Sequence, residues 1–429
     1  MVRRRPADVG RIAFTVATIN DPKTNSQYHA GFDKIVRVDT PNETTAILHL
    51  TEPYGLALDT FFSSRSASLL PRHLLRGLDV NTAPNNALPV GAGPFRFTKW
   101  ERGDRVELER NPYYALGTPK LERIIFKMIP TDSGTATAVR TGEIDSALGL
   151  TYSDVKPVEA DPAIHVITLH GVRPSRLTLN VTHPLLTDPD VRHALRLALN
   201  RGSILQRSYL GSGVLAESPV TTADPDVARI PLVPYDPAAA ARLLDRAGWK
   251  VGTDGIRVKN GQRLELEVAA GAGSGFVDQI LELMRADWNA VGVAVTTKRY
   301  QLSMMFAQAE DGGIVFGGKF DVALFSIGEQ SAAEAAVAPL CSRIPPKGTN
   351  FSRLCVPAYD ALVAKAGATY DPAVAGPLYR EAQVRVADLT PAIVLALRNE
   401  LYLVRDNVAG ATIYPFAFFY DPLTLDVVK

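Results

Sequence analysis

Apolar and polar positions alternate between two periods along this chain, and the switches mark its elements. Thr44–Leu50 reads as a strand after a turn at Pro41-Asn42, Arg105–Arg110 alternates charge with Val106 and Leu108 and predicts a strand with one wet face, and a further strand follows in "LERIIFKMIP". A helix is expected from Asp132 to a stop at Gly142, then a short strand over Ile144–Leu148. "TDPDVRHALRLALNRGSILQRSYLG" reads as one strong helical segment, with Asp188 as cap, Pro189 in the first turn, and Val191, Leu195 and Ala198 on one face. "YDPAAAARLLDRAGWK" repeats that logic, with Asp236 capping, Pro237 at N1 and Gly248 closing. Asn260-Gly261 sits between alternating runs and predicts a hairpin. An amphipathic helix over "FVDQILELMRADWNAVGV" precedes the strand "VAVTTKRY". "KFDVALFSI" is almost continuously apolar, as expected of a strand covered on both faces. Two helices, at about 358–368 and 373–387, lead to a final strand in "AIVLALRNELYLV". The sum is a mixed α/β protein with strand–helix–strand units in its second half.

Length and charge narrow the class. At 429 residues the chain has room for two or three domains. Forty-six basic residues against 45 acidic ones leave a net charge of +1, with no basic footprint for nucleic acid and no cationic face for a membrane. No apolar run approaches the ~20 residues of a membrane span. The N-terminal "MVRRRPADVGRIAFTVATINDP" has a basic start and a short apolar run. Pro6, Asp8, Thr15 and Thr18 interrupt or dilute it, and no small-residue cleavage site follows. An amphipathic helix turning Val9, Ile12, Phe14, Val16 and Ile19 partly inward is the expectation.

The chemical motifs fail one by one. Gly91-Ala92-Gly93 resembles the start of a nucleotide-binding loop. The third glycine is replaced by Arg96, Pro94 removes a backbone N–H, and a strand follows where a helix is needed. Gly313, Gly318 and Lys319 have P-loop spacing, but Phe320 stands where a hydroxyl should hold Mg²⁺. The seven histidines form no His-x-x-x-His pair, and no Gly-x-Ser-x-Gly elbow occurs. No catalytic residue, metal site or cofactor is therefore assigned. A carboxylate pair converging in a cleft, as in a hydrolase, is the rival reading. The two cysteines, Cys341 and Cys355, are either unrelated buried thiols or a disulfide closing the loop between them.

Five blocks in order carry a resemblance. They are "PVGAGPFRFTKWERGDRVELERNPYY" (89–114), "TGEID" (141–145), "LNVTHPLLTDPDVRHALRLALNRGSIL" (179–205), "AARLLDRAGWK" (240–250) and "VPAYDALVAKA" (356–366). Together they resemble the extracytoplasmic solute-binding proteins of peptide/nickel-type ABC transporters, the oligopeptide- and dipeptide-binding family. The resemblance implies a two-lobed periplasmic-binding-protein-like α/β fold, type II and of the large peptide-binding subclass, with mixed sheets. It implies a non-enzymatic protein, periplasmic or at the cell surface when intact. Such a protein captures a peptide or other small polar solute in an inter-lobe cleft, closes around it, and delivers it to permease subunits.

Mapped onto this sequence, residues 1–88 are expected to be a remnant of a first-lobe subdomain. Residues 89–174 and 397–429 form the first lobe and 175–396 the second, with crossovers near Arg173–Arg176 and Leu397–Asn399. Family members carry further residues before the helix that reads "PADVGRIAFTVATINDP" here. The expectation is an N-terminally truncated chain with an incomplete first lobe and exposed apolar edges. A non-functional fragment is a further alternative.

Relatives read "FDVA–GW-ADY" where this chain reads "FDVALFSIGEQSAAE" (320–334). In them the tryptophan lines the cleft and the aspartate pairs with the peptide's α-amine. Ile327 stands at the tryptophan position and Gln330 at the aspartate position, with Glu329 adjacent. Peptides, sugars and opines all stay open as solutes. His170 and Arg176, near the first crossover, complete the expected ligand-binding set. In an exported protein the resemblance favours a Cys341–Cys355 disulfide.

Overall fold

The computed structural model describes residues 9–26, 28–62, 68–326, 331–412 and 421–428. The chain divides into two compact units, residues 1–168 with 401–429, and residues 169–400. Two long strands, Ile164–Leu179 and Ala392–Arg405, contribute residues to both.

The first unit begins with the helix Gly10–Asn20, which buries Thr15, Val16 and Ile19. An antiparallel hairpin pairs Ile35–Asn42 with Thr45–Leu50. A three-stranded antiparallel sheet follows in the order Phe95–Glu101, Arg105–Arg110, Arg123–Lys127. The Gly91–Gly93 turn leads straight into that sheet, and Asn111 Nδ2 donates to the Gly93 carbonyl at 2.7 Å. A side chain therefore occupies the turn's polar surface. The helix Asp132–Thr141 is capped by Thr131, and Gly142 ends it with φ 76°. The strand expected over Ile144–Leu148 lies two residues later, at Ser146–Leu150. Glu143 and Ile144 N–H groups close the helix instead, both donating to the Ala138 carbonyl. The strand pairs with Leu401–Val404, and Ala136, Val139, Leu150, Leu401 and Leu403 form a core there.

The second unit is built on a sheet in the order Ala294–Tyr300, Glu265–Gly271, Val322–Phe325, Ile164–Leu179, Ala392–Arg405, with Gly213–Val214 added to the last strand. The first three run parallel, which requires crossover connections; the helix Gly275–Asn289 supplies one. Val322–Phe325 then runs antiparallel to Ile164–Leu179. One face of the sheet packs Leu177, Leu179, Leu324 and Leu395 against Leu195, Leu244 and Trp288. The other packs Ala323 and Phe325 against Phe316 and Phe351. All four residues of Val322–Phe325 are buried, which accounts for its unbroken apolar reading.

The single helix expected after Asp188 is two: Pro189–Leu197 and Arg201–Ser208. Asn200 breaks it. Its side chain accepts from Ser203 N at 2.9 Å and caps the second helix, while its own N–H donates to Asp287 at 2.8 Å. Asp236 caps Pro237–Arg246 as read, accepting from Ala239 N at 2.7 Å. Asn260 and Gly261 both adopt positive φ, 51° and 79°, the backbone that a two-residue hairpin turn demands.

Candidate functional site

Alternation along Ile164–Leu179 decides which side chains meet the site. Leu177 and Leu179 enter the leucine-rich core, so Arg176 and Thr178 project from the opposite face. Arg176 stands opposite Phe325 in the antiparallel ladder, its guanidinium 5.8 Å from the ring centroid. Phe325 is itself fixed by Phe351, 5.8 Å away and nearly perpendicular.

Beside this pair lies a pocket of about 80 Å³, formed wholly by residues of the second unit. Arg176, Thr178 and Val394 line it from the strands, Ala335 from the helix Ala332–Val337, and Val386 from the helix Pro372–Leu389. Glu217 and Thr349–Ser352 complete the wall. Thr178 is 4% exposed, and its Oγ1 has no hydrogen-bond partner among the described residues.

Each wall is held by polar contacts that leave its apolar surface toward the pocket. Ser331 caps Ala332–Val337 by accepting from Glu334 N at 3.1 Å, and Asp224 accepts from Ala332 N at 3.1 Å. Buried Gln383 ties the 218–228 segment to the helix Pro372–Leu389. Its Oε1 accepts from Ser218 Oγ and Ala228 N, and its Nε2 donates to the Asp226 carbonyl. Asn350 Nδ2 donates to the carbonyls of Pro339, Leu340 and Leu354, and Ser352 Oγ donates to its Oδ1. Cys341 and Cys355 are joined by a disulfide, with Cα atoms 4.6 Å apart, so the loop bearing Asn350 is closed covalently at its base. Glu217 is neutralised by Arg196, 3.0 Å away, and by Arg201, and it accepts from Val233 N at 2.7 Å. Burial pushes the Arg196 pKa down, while Glu217 opposes that shift.

On the leucine-rich face of the same sheet, Arg398 lies over Tyr209 and Phe276, 5.4 and 5.2 Å from their centroids. Tyr209 donates to Ser175 Oγ at 2.7 Å, and burial pushes its phenol pKa up.

Arg176 is thus the expected residue that reaches the pocket. His170 is exposed on the same strand and does not line it. Ile327, Glu329 and Gln330 lie outside the described residues. Thr178, Glu217 and Asn350 were not singled out from the sequence. Thr178 could have been found, since it lies two residues beyond Arg176 on a strand and must share its face. Glu217 gives no local signal, because its partners Arg196 and Arg201 come from two other elements, the helices Pro189–Leu197 and Arg201–Ser208. Among the described residues no group of three or more His, Cys, Asp or Glu side chains is placed to hold a metal. Two carboxyls have pKa values raised chiefly by burial, Asp287 and Asp360. Each accepts a backbone N–H, from Asn200 and Cys341, and neither lines the pocket.

A covered sheet with a small, mostly apolar pocket carrying a few fixed polar groups is the architecture of a ligand-binding protein. The sequence pattern of the bacterial extracellular solute-binding proteins, family 5 (middle), matches residues 6–340, and the chain belongs to this family. It is 30% identical over 387 residues to a Brucella ovis protein named as a candidate ABC transporter peptide-binding protein, covering 86% of this chain and 68% of that one. Among solved structures it resembles the oligopeptide-binding protein AppA of Bacillus subtilis in complex with a nonapeptide. That match has a TM-score of 0.88 and 21% identity, over 98% of this chain and 83% of that one. It also resembles NikZ of Campylobacter jejuni in complex with Ni(L-His), with a TM-score of 0.84 and 24% identity, over 96% and 83%. The fold is the one the resemblance implied, an α/β fold of the periplasmic-binding-protein type. No helix among the described residues is long and apolar enough to cross a membrane.

Proposed function

We propose that this chain is the substrate-binding component of an ABC importer, which captures a peptide or other small polar solute outside the cytoplasm and delivers it to a membrane permease. The observation that carries the reading is the match to an extracellular solute-binding family over residues 6–340. The pocket supports it. Its walls are preorganised by buried hydrogen bonds and a disulfide, which lowers the ordering cost of binding. Arg176 and Thr178 supply donors at a mostly apolar surface, the combination that orients a small ligand. The solutes named for the structural relatives, a nonapeptide and Ni(L-His), mark a fold that carries different ligands, so the identity of this one rests on its own side chains.

The test is to purify the protein under native conditions, identify any retained solute by mass spectrometry, and titrate it back calorimetrically. Saturable binding at one site is the expected result. If no solute is retained, and peptides, sugars and opines all give no heat, the reading fails.

A further inference from the structure

The run Gly313–Lys319 fails as a P-loop, yet its fold brings two cations together. The short helix Ile314–Gly317 ends at Gly318, with φ 65°. The N–H groups of Gly317, Gly318 and Lys319 donate to the carbonyls of Gly313, Val315 and Ile314, so the backbone offers an anion no cradle. The side chains are arranged otherwise. A Cβ at Gly317 would lie 3.3 Å from Lys319 Cε, and one at Gly318 would lie 2.4 Å from Arg353 Nε. Consecutive Cα atoms are about 3.8 Å apart, so both cationic side chains rest against one two-glycine turn. Neither residue lines the pocket beside Arg176.

No carboxylate among the described residues answers these charges. Lys319 is exposed and forms no ion pair there. Arg353 is half-buried, and its Nη2 donates to the Phe316 carbonyl at 2.9 Å. Its Nε and Nη1 donate to no described residue. Burial pushes the Arg353 pKa down, with no acidic neighbour opposing the shift. Asp321, two residues beyond Lys319, is engaged by His183 at 3.2 Å and by the Glu267 N–H at 2.8 Å. The Arg353 backbone is held at φ 60°, which is costly for a residue with a side chain. Two like charges at one turn, one of them partly desolvated on a strained backbone, raise the free energy unless an anion joins them.

We infer that Lys319 and Arg353 form a site for a doubly charged phosphate group, as free phosphate or a phosphomonoester. Two cations match a dianion, and the guanidinium and the ammonium donate to different phosphate oxygens. A phosphodiester carries one charge and would leave one cation unanswered. The site lies in the second unit, and the inference does not depend on the importer reading.

The full chain, labelled with ¹⁵N, tests this with methyl phosphate at about pH 7, where a phosphomonoester is chiefly a dianion. Dimethyl phosphate at equal concentration and sodium chloride at equal ionic strength are the controls. Methyl phosphate is expected to shift the amides of Gly317, Gly318, Lys319 and Arg353 saturably, and both controls to leave them in place. Lys319→Gln and Arg353→Asn should each weaken that binding about tenfold or more, the loss expected for a charge-assisted hydrogen bond. Lys319 is exposed and asparagine tolerates a positive φ, so both variants should fold. If Arg353→Asn does not fold, Lys319→Gln and the comparison of the two esters on the unaltered chain decide. No shift up to tens of millimolar, equal shifts from both esters or from chloride, or unchanged affinity in either folded variant would overturn the inference.

Discussion

Glu217 and Arg201 form an ion pair whose side chains are only 3% and 4% exposed. Arg201 is satisfied further by the carbonyls of Ala216 and Val394, so its charge is held between the 216–217 segment and the strand Ala392–Arg405. Removing one partner of such a pair leaves the other charge buried. Glu217→Gln is therefore expected to cost about 3 kcal/mol, at the lower edge of the range for buried pairs because the amide oxygen still accepts one bond. Chemical denaturation measures it. A loss under about 1 kcal/mol would mean that water reaches the pair and that Glu217 is not the structural post of the pocket wall.

The disulfide closes a loop in which Asn350 and Phe351 reach the pocket, with 14 residues of sequence separation. In the chain-entropy account a loop of that length contributes about 3 kcal/mol. The Cys341→Ser/Cys355→Ser double variant should lose about that much stability. A reductant should lower the unfolding midpoint of the parent and leave the double variant unmoved. Equal response of both proteins to reductant would disconnect the effect from this bond.

Two carboxylates should shape acid behaviour with opposite signs. Burial raises the folded-state pKa of Asp287, so its contribution to stability is fully present below the unfolded-state value and is lost as pH rises through the folded one. Asp287→Asn removes that titration, so the variant should gain on the parent as pH climbs from 3 toward neutrality. Asp245 is the reverse case. The hydrogen bond from Arg257 lowers its pKa, so its contribution is present above the unfolded-state value and lost as pH falls through the folded one. Asp245→Asn should therefore lose on the parent over the same rise in pH. Thermal midpoints against pH, taken as differences from the parent, read both. A flat difference for Asp287→Asn would place its carboxyl in a wetter setting than its half-buried position indicates.

Caps and turns were legible in the sequence because their chemistry is local. Asp188, Asp236 and the Asn260-Gly261 pair each do within a few residues what their type predicts. The break at Asn200 was not legible, since its N–H is held by Asp287, far along the chain on another helix. The site divides the same way. Arg176 was named because the family resemblance places a crossover near it, and its face follows from alternation along the strand. The wall that opposes it is assembled by Gln383, Asn350 and Glu217, whose partners lie in other segments or give no repeating pattern. Buried polar residues that hold loops look in sequence like any surface amide or acid, and only tertiary contact tells them apart.

Gly213 carries the last prediction. With φ at 151° it pairs with Arg398 at the edge of the sheet, and a Cβ there would lie 2.6 Å from the Leu397 carbonyl oxygen and 3.0 Å from the Arg398 Cα. Both obstacles are backbone, so no rotamer change relieves them, and the positive φ adds strain of its own. Gly213→Ala is expected to cost about 2 kcal/mol, within the range for a residue forced into a sparsely populated conformation. It should also loosen the strand that bears Arg398, read as faster amide exchange at Leu397 and Arg398. Gly275 is the control. It sits at the first turn of the helix Gly275–Asn289 with nothing within 4 Å of the added methyl. Gly275→Ala should stabilise by about 0.5 kcal/mol through the unfolded chain. If the two substitutions gave the same sign, close backbone approach at Gly213 would not be what selects glycine there.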